Sequence, residues 1–97
     1  MHEYQYPLDL DWTTEEMVAV MKMWELLEAA NEEGVQATEF LNAYKEFKKV
    51  VPAIGEERRL GREFEKSSGY SLYHTLKAVK EQGQGRFKMM KQQKGRK

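Results

Sequence analysis

His74 is the first residue to consider for chemistry, because the chain has only two histidines and the other, His2, is next to the N-terminus. A histidine can serve as a general base or a metal ligand, but either role needs a partner on the same face. The metal-binding pattern of a helical bundle is Glu-x-x-His, and position 71 is a serine. His74 is therefore predicted to be a structural or surface residue.

Three glutamates in the first third of the chain form a second candidate site. Glu25, Glu28 and Glu32 recur at spacings of three and four, which places them on one face of a helix. Such a face can hold a hard cation or dock a basic peptide, and the peptide fits better because oxygen-ligated cations usually need ligands from several elements. The alternative, which the sequence favours, is a solvated face opposite the apolar stripe.

The serines at positions 67, 68 and 71 do not form a nucleophile pattern, because no G-x-S-x-G elbow surrounds them. They are interpreted as turn and cap residues. The chain contains no cysteine, which excludes thiol nucleophiles and thiolate metal sites. We therefore predict no catalytic residues, no metal and no cofactor, and a protein that is not an enzyme.

Charge is distributed unevenly along the chain. Residues 1–33 carry nine acids and one base, whereas residues 82–97 carry six bases and no acid. These bases alternate with a few apolar residues, a composition that suits RNA or an anionic membrane surface. The predicted polyanion-binding residues are Arg86, Lys88, Lys91, Lys94, Arg96 and Lys97. The alternative is a solubilising terminus that folds against the acidic first helix.

Aromatic residues suggest a protein interface, because tyrosine and tryptophan are enriched there. The candidates are Tyr4, Tyr6, Trp12, Tyr70 and Tyr73. The alternative is that the N-terminal arm only packs on the rest of the domain. Contacts of this kind are also compatible with a homo-oligomer.

Four helices are predicted to position these residues. The first begins after a capping box, Thr13-x-x-Glu16, and stops at Gly34. The other three are predicted over residues 36–50, 54–66 and 71–82. The fold class is therefore all-α: a compact bundle of four short helices in a single domain of residues 1–82. Within it, residues 1–12 form an extended arm and residues 13–82 the helices, and residues 83–97 follow as a basic tail.

Four segments of the chain resemble a known family. They are EYQYPLDLDWTTEE, ATEFLNAYKEFKKVVP, REFEKSSGYSLY and TLKAVKE. Over residues 3–81 the chain is similar to the YktA-like proteins, an uncharacterised family of Gram-positive bacteria. The resemblance implies an all-helical fold and no particular activity. The basic tail lies outside it.

The N-terminal segment lacks the basic and apolar regions of a signal peptide, and no apolar run approaches the roughly 18 residues of a membrane span. We therefore expect a cytoplasmic protein with no membrane span. The expected function is a small, non-catalytic protein-binding or adaptor module whose partner is unknown. The alternative is a nucleic-acid-associated protein that binds through the basic C-terminal tail.

Overall fold

The computed structural model describes residues 6–89, and its secondary structure is almost entirely helical. The elements are α1 (Thr14–Glu32), β1 (Val35–Gln36), α2 (Ala37–Val50), α3 (Ile54–Ser68), α4 (Leu72–Gln82) and β2 (Arg86–Phe87). The predicted all-α bundle of four helices is thus confirmed, and each predicted helix lies within a few residues of the observed one.

Local signals determine where the helices begin and end. At the start of α1, the Glu16 amide donates to Thr13 Oγ1 over 3.1 Å, and the Thr13 amide donates to Glu16 Oε1 over 2.9 Å. This is the predicted capping box, which satisfies two amides that the helix cannot pair internally. Ser71 caps α4 in the same way, accepting from the His74 amide over 3.1 Å. Gly69 ends α3 in the left-handed conformation, with φ of 85°.

The core is built around Trp24, a fully buried residue of α1. Its ring stacks on Phe64 of α3 at a centroid distance of 5.1 Å and meets Phe47 of α2 edge-on at 5.5 Å. Val79 brings α4 to the same core. Because one tryptophan contacts side chains from two other helices, the helices share a single hydrophobic centre rather than separate pairwise contacts.

The segment that follows α4 returns to the helices. β2 pairs antiparallel with β1, with Val35 opposite Phe87 and Gln36 opposite Arg86. The Met89 amide donates to the Ala30 carbonyl over 2.8 Å, and the Phe87 side chain is only 6% exposed. Residues 83–89, assigned from the sequence to the tail, therefore pack on the domain, because Phe87 is an apolar anchor that the core accommodates.

The arm before α1 is held by its backbone as well as by its side chains. Trp24 Nε1 donates to the Pro7 carbonyl over 3.2 Å, and Tyr6 lies 5.8 Å from Phe64 between ring centroids. After this contact the chain makes a turn in which Asp9 accepts from the Asp11 amide over 2.9 Å. The arm thereby closes one end of the core while its tip faces solvent.

Candidate protein-binding groove

A groove of about 620 Å³ runs between α1 and α2. Its apolar lining comes from Val18 and Ala19 of α1 and Ala43 of α2. Val18 is 58% exposed, although it belongs to the longest helix of the domain. Two alanines beside an exposed valine leave room for the side chains of another molecule, since concave apolar surfaces are where proteins bind partners and ligands.

The helical register of α1 explains why Val18 is left at the surface. The buried residues of α1 are Val20, Met23, Trp24, Leu27 and Ala30. Val18 falls outside this stripe, so the core that buries Trp24 leaves Val18 uncovered. The groove was not predicted from the sequence. The available signal was an apolar residue on the polar side of an amphipathic helix, next to alanines in both helices.

The rim of the groove carries more acids than bases. Glu15, Glu39 and Glu46 line it together with one base, Lys22, a lining with three carboxylates and one ammonium. Lys22 Nζ lies 3.9 Å from Glu39 Oε2, and both side chains are more than half exposed. Because exposed ion pairs of this kind contribute little stability, these carboxylates can exchange partners at low cost.

Another face of α1 is closed by tyrosines. Tyr6 Oη donates to Glu28 Oε1 over 2.7 Å, and Tyr70 Oη donates to Glu32 Oε2 over 2.6 Å. Burial raises the pKa of the Tyr6 hydroxyl above its ordinary value of 10.0, and the hydrogen bond to Glu28 raises the pKa further. The sequence favoured a solvated face here, but two of its three glutamates are half-buried and accept hydrogen bonds within the molecule.

A third tyrosine–glutamate contact joins α2 to α3. The carboxylate of Glu57 is buried, and it accepts from Tyr44 Oη over 2.8 Å and from Lys48 Nζ over 2.6 Å. Burial, followed by the hydrogen bond to Glu57, raises the pKa of Tyr44. Both carboxylate oxygens have partners, so this arrangement ties the two helices together. Across residues 6–89, no group of three or more His, Cys, Asp or Glu side chains could hold a metal ion.

The structure separates the aromatic residues predicted for an interface. Tyr6 and Tyr70 hydrogen-bond to α1, and Trp12 is half-buried against the core. Tyr73 is 68% exposed, and its ring meets His74 edge-on at 5.2 Å. Tyr4 lies outside the described residues. These side chains therefore do not gather on one surface, and Tyr73 is the most accessible of those that the structure describes.

Two of the predicted polyanion-binding residues lie within the described chain. The Arg86 guanidinium donates to the Glu33 carbonyl over 2.8 Å, and Lys88 is exposed. Arg86 therefore helps to satisfy the C-terminal end of α1, where an arginine can bond the last carbonyls. The remaining four bases, Lys91, Lys94, Arg96 and Lys97, lie outside the described residues. His74 is exposed, with Nδ1 3.0 Å from Ser71 Oγ.

Within the described part of the chain, no helix is both long enough and apolar enough to cross a membrane.

Comparison with known proteins finds relatives that match nearly the whole length of this chain. An Enterococcus faecalis protein is 62% identical over 89 residues, which cover 92% of this chain and 97% of the relative. A Streptococcus sanguinis protein is 50% identical over 88 residues, with 91% and 96% coverage.

Both relatives carry the name UPF0223 protein. A Streptococcus pneumoniae relative with the same name, from serotype 4, is 52% identical over 89 residues, with 92% and 97% coverage. The model of the uncharacterised protein family UPF0223 matches residues 3–88, a range that includes β2 as well as the four helices. The chain therefore belongs to the UPF0223 family, an uncharacterised protein family with members in Gram-positive bacteria.

Proposed function

We propose that this protein is a small, non-catalytic protein-binding module that acts in the cytoplasm and receives its partner in the groove between α1 and α2. The observation that carries the proposal is the groove itself, in which a half-exposed valine lies beside small apolar residues of two helices. Two adjacent helices with an open apolar seam are a common receptor for a segment of another protein.

A comparison with Ile54 separates the groove from ordinary surface exposure. Ile54, at the start of α3, is 56% exposed, which is close to the 58% exposure of Val18. Single exposed apolar residues are normal in soluble proteins and need no function. Val18 differs because it lines a concavity of about 620 Å³ together with Ala19 and Ala43. Ile54 is not part of that lining, so it is a matched control for exposure without a groove.

The inventory of reactive groups supports a non-catalytic role. The only described histidine is exposed and contacts a cap serine. Among residues 6–89, the most deeply buried carboxylate is that of Glu57, and its two oxygens are engaged by Tyr44 and Lys48. A catalytic site requires a nucleophile or base beside a cavity in which a substrate can sit. The groove is lined by alkyl groups, exposed carboxylates, the ammonium group of Lys22 and neutral polar side chains, and no histidine lines it.

The proposal is tested by site-specific photo-crosslinking in cells. A photoreactive amino acid replaces Val18 in one full-length chain and Ile54 in another, and adducts are identified by mass spectrometry. A defined protein adduct at position 18 that is absent at position 54 is the expected result. Equal adducts at both positions, or none at position 18, would contradict a protein-binding groove.

Three narrower proposals accompany this one. The first is that Tyr73 of α4 and Trp12 of the arm are interface residues outside the groove lining, because an exposed tyrosine is a typical anchor residue. The narrower resemblance to the YktA-like proteins is also retained as a proposal within the UPF0223 family. The third proposal is a homo-oligomer, which sedimentation of the full chain tests directly.

The second candidate function is nucleic-acid association through the basic tail, favoured by six bases and no acid over residues 82–97. The test replaces Lys91, Lys94, Arg96 and Lys97 by glutamine and measures binding to a mixed RNA and DNA pool against salt. The control replaces four bases of the helical domain, Lys45, Arg58, Lys66 and Lys77. Loss of steeply salt-dependent binding in the first variant alone is the expected result for this function. Unchanged binding would exclude it.

A further inference from the structure

We infer that the partner segment of the α1–α2 groove is a helix whose apolar stripe is flanked by lysine or arginine. This inference rests on the proposed function and names the chemistry of the partner.

The shape of the groove favours a helix as the occupant. The lining from Glu15 to Lys22 covers seven residue steps of α1, a length of about 10 Å, or roughly two helical turns. Beyond their first turns, the backbone amides and carbonyls of α1 and α2 are used within each helix, so these walls provide no continuous edge for an extended strand to pair with. The lining also includes Gln36 of β1, a strand of only two residues. Two side-by-side helices accept a third by packing side-chain ridges into the groove.

The floor of the groove sets the size of the side chains that enter it. Ala19 and Ala43 place only methyl groups at the bottom of the groove, and Val18 stands beside them. Small residues on the receiving helices allow a partner to approach closely and to insert a medium-sized side chain such as leucine. The expected partner stripe is therefore leucine and alanine at helical spacing rather than large aromatic residues.

The acidic rim of the groove favours basic residues on either side of the partner's apolar stripe. Glu15, Glu39 and Glu46 are exposed, and Lys22 is the single base of the lining. Two of the carboxylates already have exposed lysine partners, Lys22 at 3.9 Å and Lys49 at 3.1 Å, which are weak contacts that a docked cation can replace. The wall from α1 belongs to the most acidic third of the chain, with nine acids and one base over residues 1–33.

The same charges argue against two other occupants. A second copy would place the same lining against itself, with six carboxylates and two ammonium groups in a self-complementary contact. Like charges opposed across an interface disfavour association. A nucleic acid would bring phosphates to the same carboxylates. A basic helix is the occupant that the rim attracts.

The test uses two synthetic peptides of 16 residues with the same leucine and alanine stripe. One has lysine flanks and the other glutamate flanks, and each carries a fluorophore. Anisotropy is measured with the full-length protein at low salt and at physiological salt. We expect the lysine peptide to bind about tenfold more tightly, because two or three exposed ion pairs of modest strength add to about this ratio. Added salt should reduce the difference in affinity between the two peptides, because it screens exposed ion pairs.

Protein variants assign the binding to the groove. Val18→Lys should weaken binding of the lysine peptide at least about tenfold, because the substitution removes an apolar contact and opposes an ammonium group to the lysine flanks of the peptide. The matched Ile54→Lys substitution should change affinity less than about twofold. The double substitution Glu39→Lys and Glu46→Lys should reverse the preference, so that the glutamate peptide binds more tightly. Circular dichroism of each variant checks that its helices are intact.

The remaining outcomes overturn the inference in distinguishable ways. Equal binding of both peptides, or tighter binding of the glutamate peptide, would refute a basic partner while leaving the protein-binding function in place. Dimerisation that Val18→Glu abolishes would assign the groove to a second copy. The lysine peptide could also bind only after the four bases of residues 91–97 become glutamine. That result would assign the groove to the chain's own C-terminal segment. Failure of the proposed function itself is read separately, as a missing protein adduct at position 18.

Discussion

Two faces of α1 flank the same buried stripe, and one is covered by other parts of the molecule whereas the other is open. On one face, the carboxylates of Glu28 and Glu32 accept hydrogen bonds from Tyr6 and Tyr70, side chains that come from the arm and from the turn before α4. On the other, Val18 remains more than half exposed beside an acidic rim. The difference shows that exposed acids do not by themselves mark a binding surface. The acidic face is already used within the molecule, whereas the groove is open.

The two faces also differ in what holds their neighbours in place. The closed face is bridged by tyrosine hydroxyls that reach across more than twenty residues of sequence. The groove is bridged by an exposed lysine–glutamate contact of 3.9 Å. A part-buried hydrogen bond to a charged group contributes more stability than an exposed ion pair. Substitutions on the closed face should therefore change folding, and those in the groove should change binding.

The largest effect should come from Trp24, which belongs to the buried stripe between the two faces. Trp24→Ala removes the ring that contacts Phe47 and Phe64 and leaves a cavity, with an expected loss of about 3–5 kcal/mol in the free energy of unfolding. Urea denaturation followed by circular dichroism measures the loss. Because the core is single, we expect one cooperative transition at lower denaturant. Two separate transitions would show that the faces belong to independent units.

The next largest effect should come from the returning segment. Phe87→Ala should cost about 3 kcal/mol, because the side chain is buried in the core beside Val35. The Ala37 amide, which donates to the Gly85 carbonyl over 2.8 Å, should then exchange its hydrogen faster. Tyr73→Ala, an aromatic truncation at an exposed site, is the matched control and should change stability by less than about 0.5 kcal/mol. If Phe87→Ala were as stable as the native chain, residues 83–89 would not be part of the cooperatively folded domain.

A smaller effect should come from the hydroxyl that closes the acidic face. Tyr6→Phe removes the donor to Glu28, and we expect a loss of about 1 kcal/mol at pH 7, against almost none for Tyr73→Phe. The pKa of Tyr6 is raised in the folded state, so above its ordinary value of 10.0 the folded protein keeps a proton that the unfolded chain loses.

The Tyr6 contribution is therefore complete below about pH 10 and decreases as the pH rises further. Denaturation series between pH 8 and pH 11 should show a smaller decrease in stability for Tyr6→Phe than for the native chain. Tyr44 shares the upward shift and is unchanged in both proteins, so the difference isolates Tyr6. Parallel pH profiles would mean that the Tyr6–Glu28 bond does not persist in solution.

The smallest effect on stability should be in the groove. Val18→Glu and Ile54→Glu change two residues of similar exposure, and each should shift the free energy of unfolding by less than about 0.5 kcal/mol. Thermal denaturation of both variants measures the shift. A large loss for Val18→Glu alone would mean that Val18 supports the fold, and the contrast between the two faces would then fail.

Local rules were sufficient to predict the start of α1, the start of α4 and the end of α3. The Thr13–Glu16 capping box, the Ser71 cap and the stop at Gly69 each involve residues within a few positions of one another. Such signals can be read from sequence because the interacting groups are close along the chain whatever the rest of the fold does. The three- and four-residue spacing of apolar side chains predicts an α1 stripe of Met17, Val20, Met21, Trp24, Leu27 and Ala30. Met23 lies outside that stripe and is fully buried, so the stripe was predicted only partly.

The sequence by itself determined the class of the protein: four helices, no cysteine, and an acidic beginning followed by a basic end. Only the tertiary structure decided which acids are covered and where the apolar groove lies. Glu32 and Tyr70 are 38 positions apart, and Val35 and Phe87 are paired across 52. The pairing of such distant groups depends on how the helices pack, because no local spacing brings them together. The openness of Val18 is likewise a property of the assembled core.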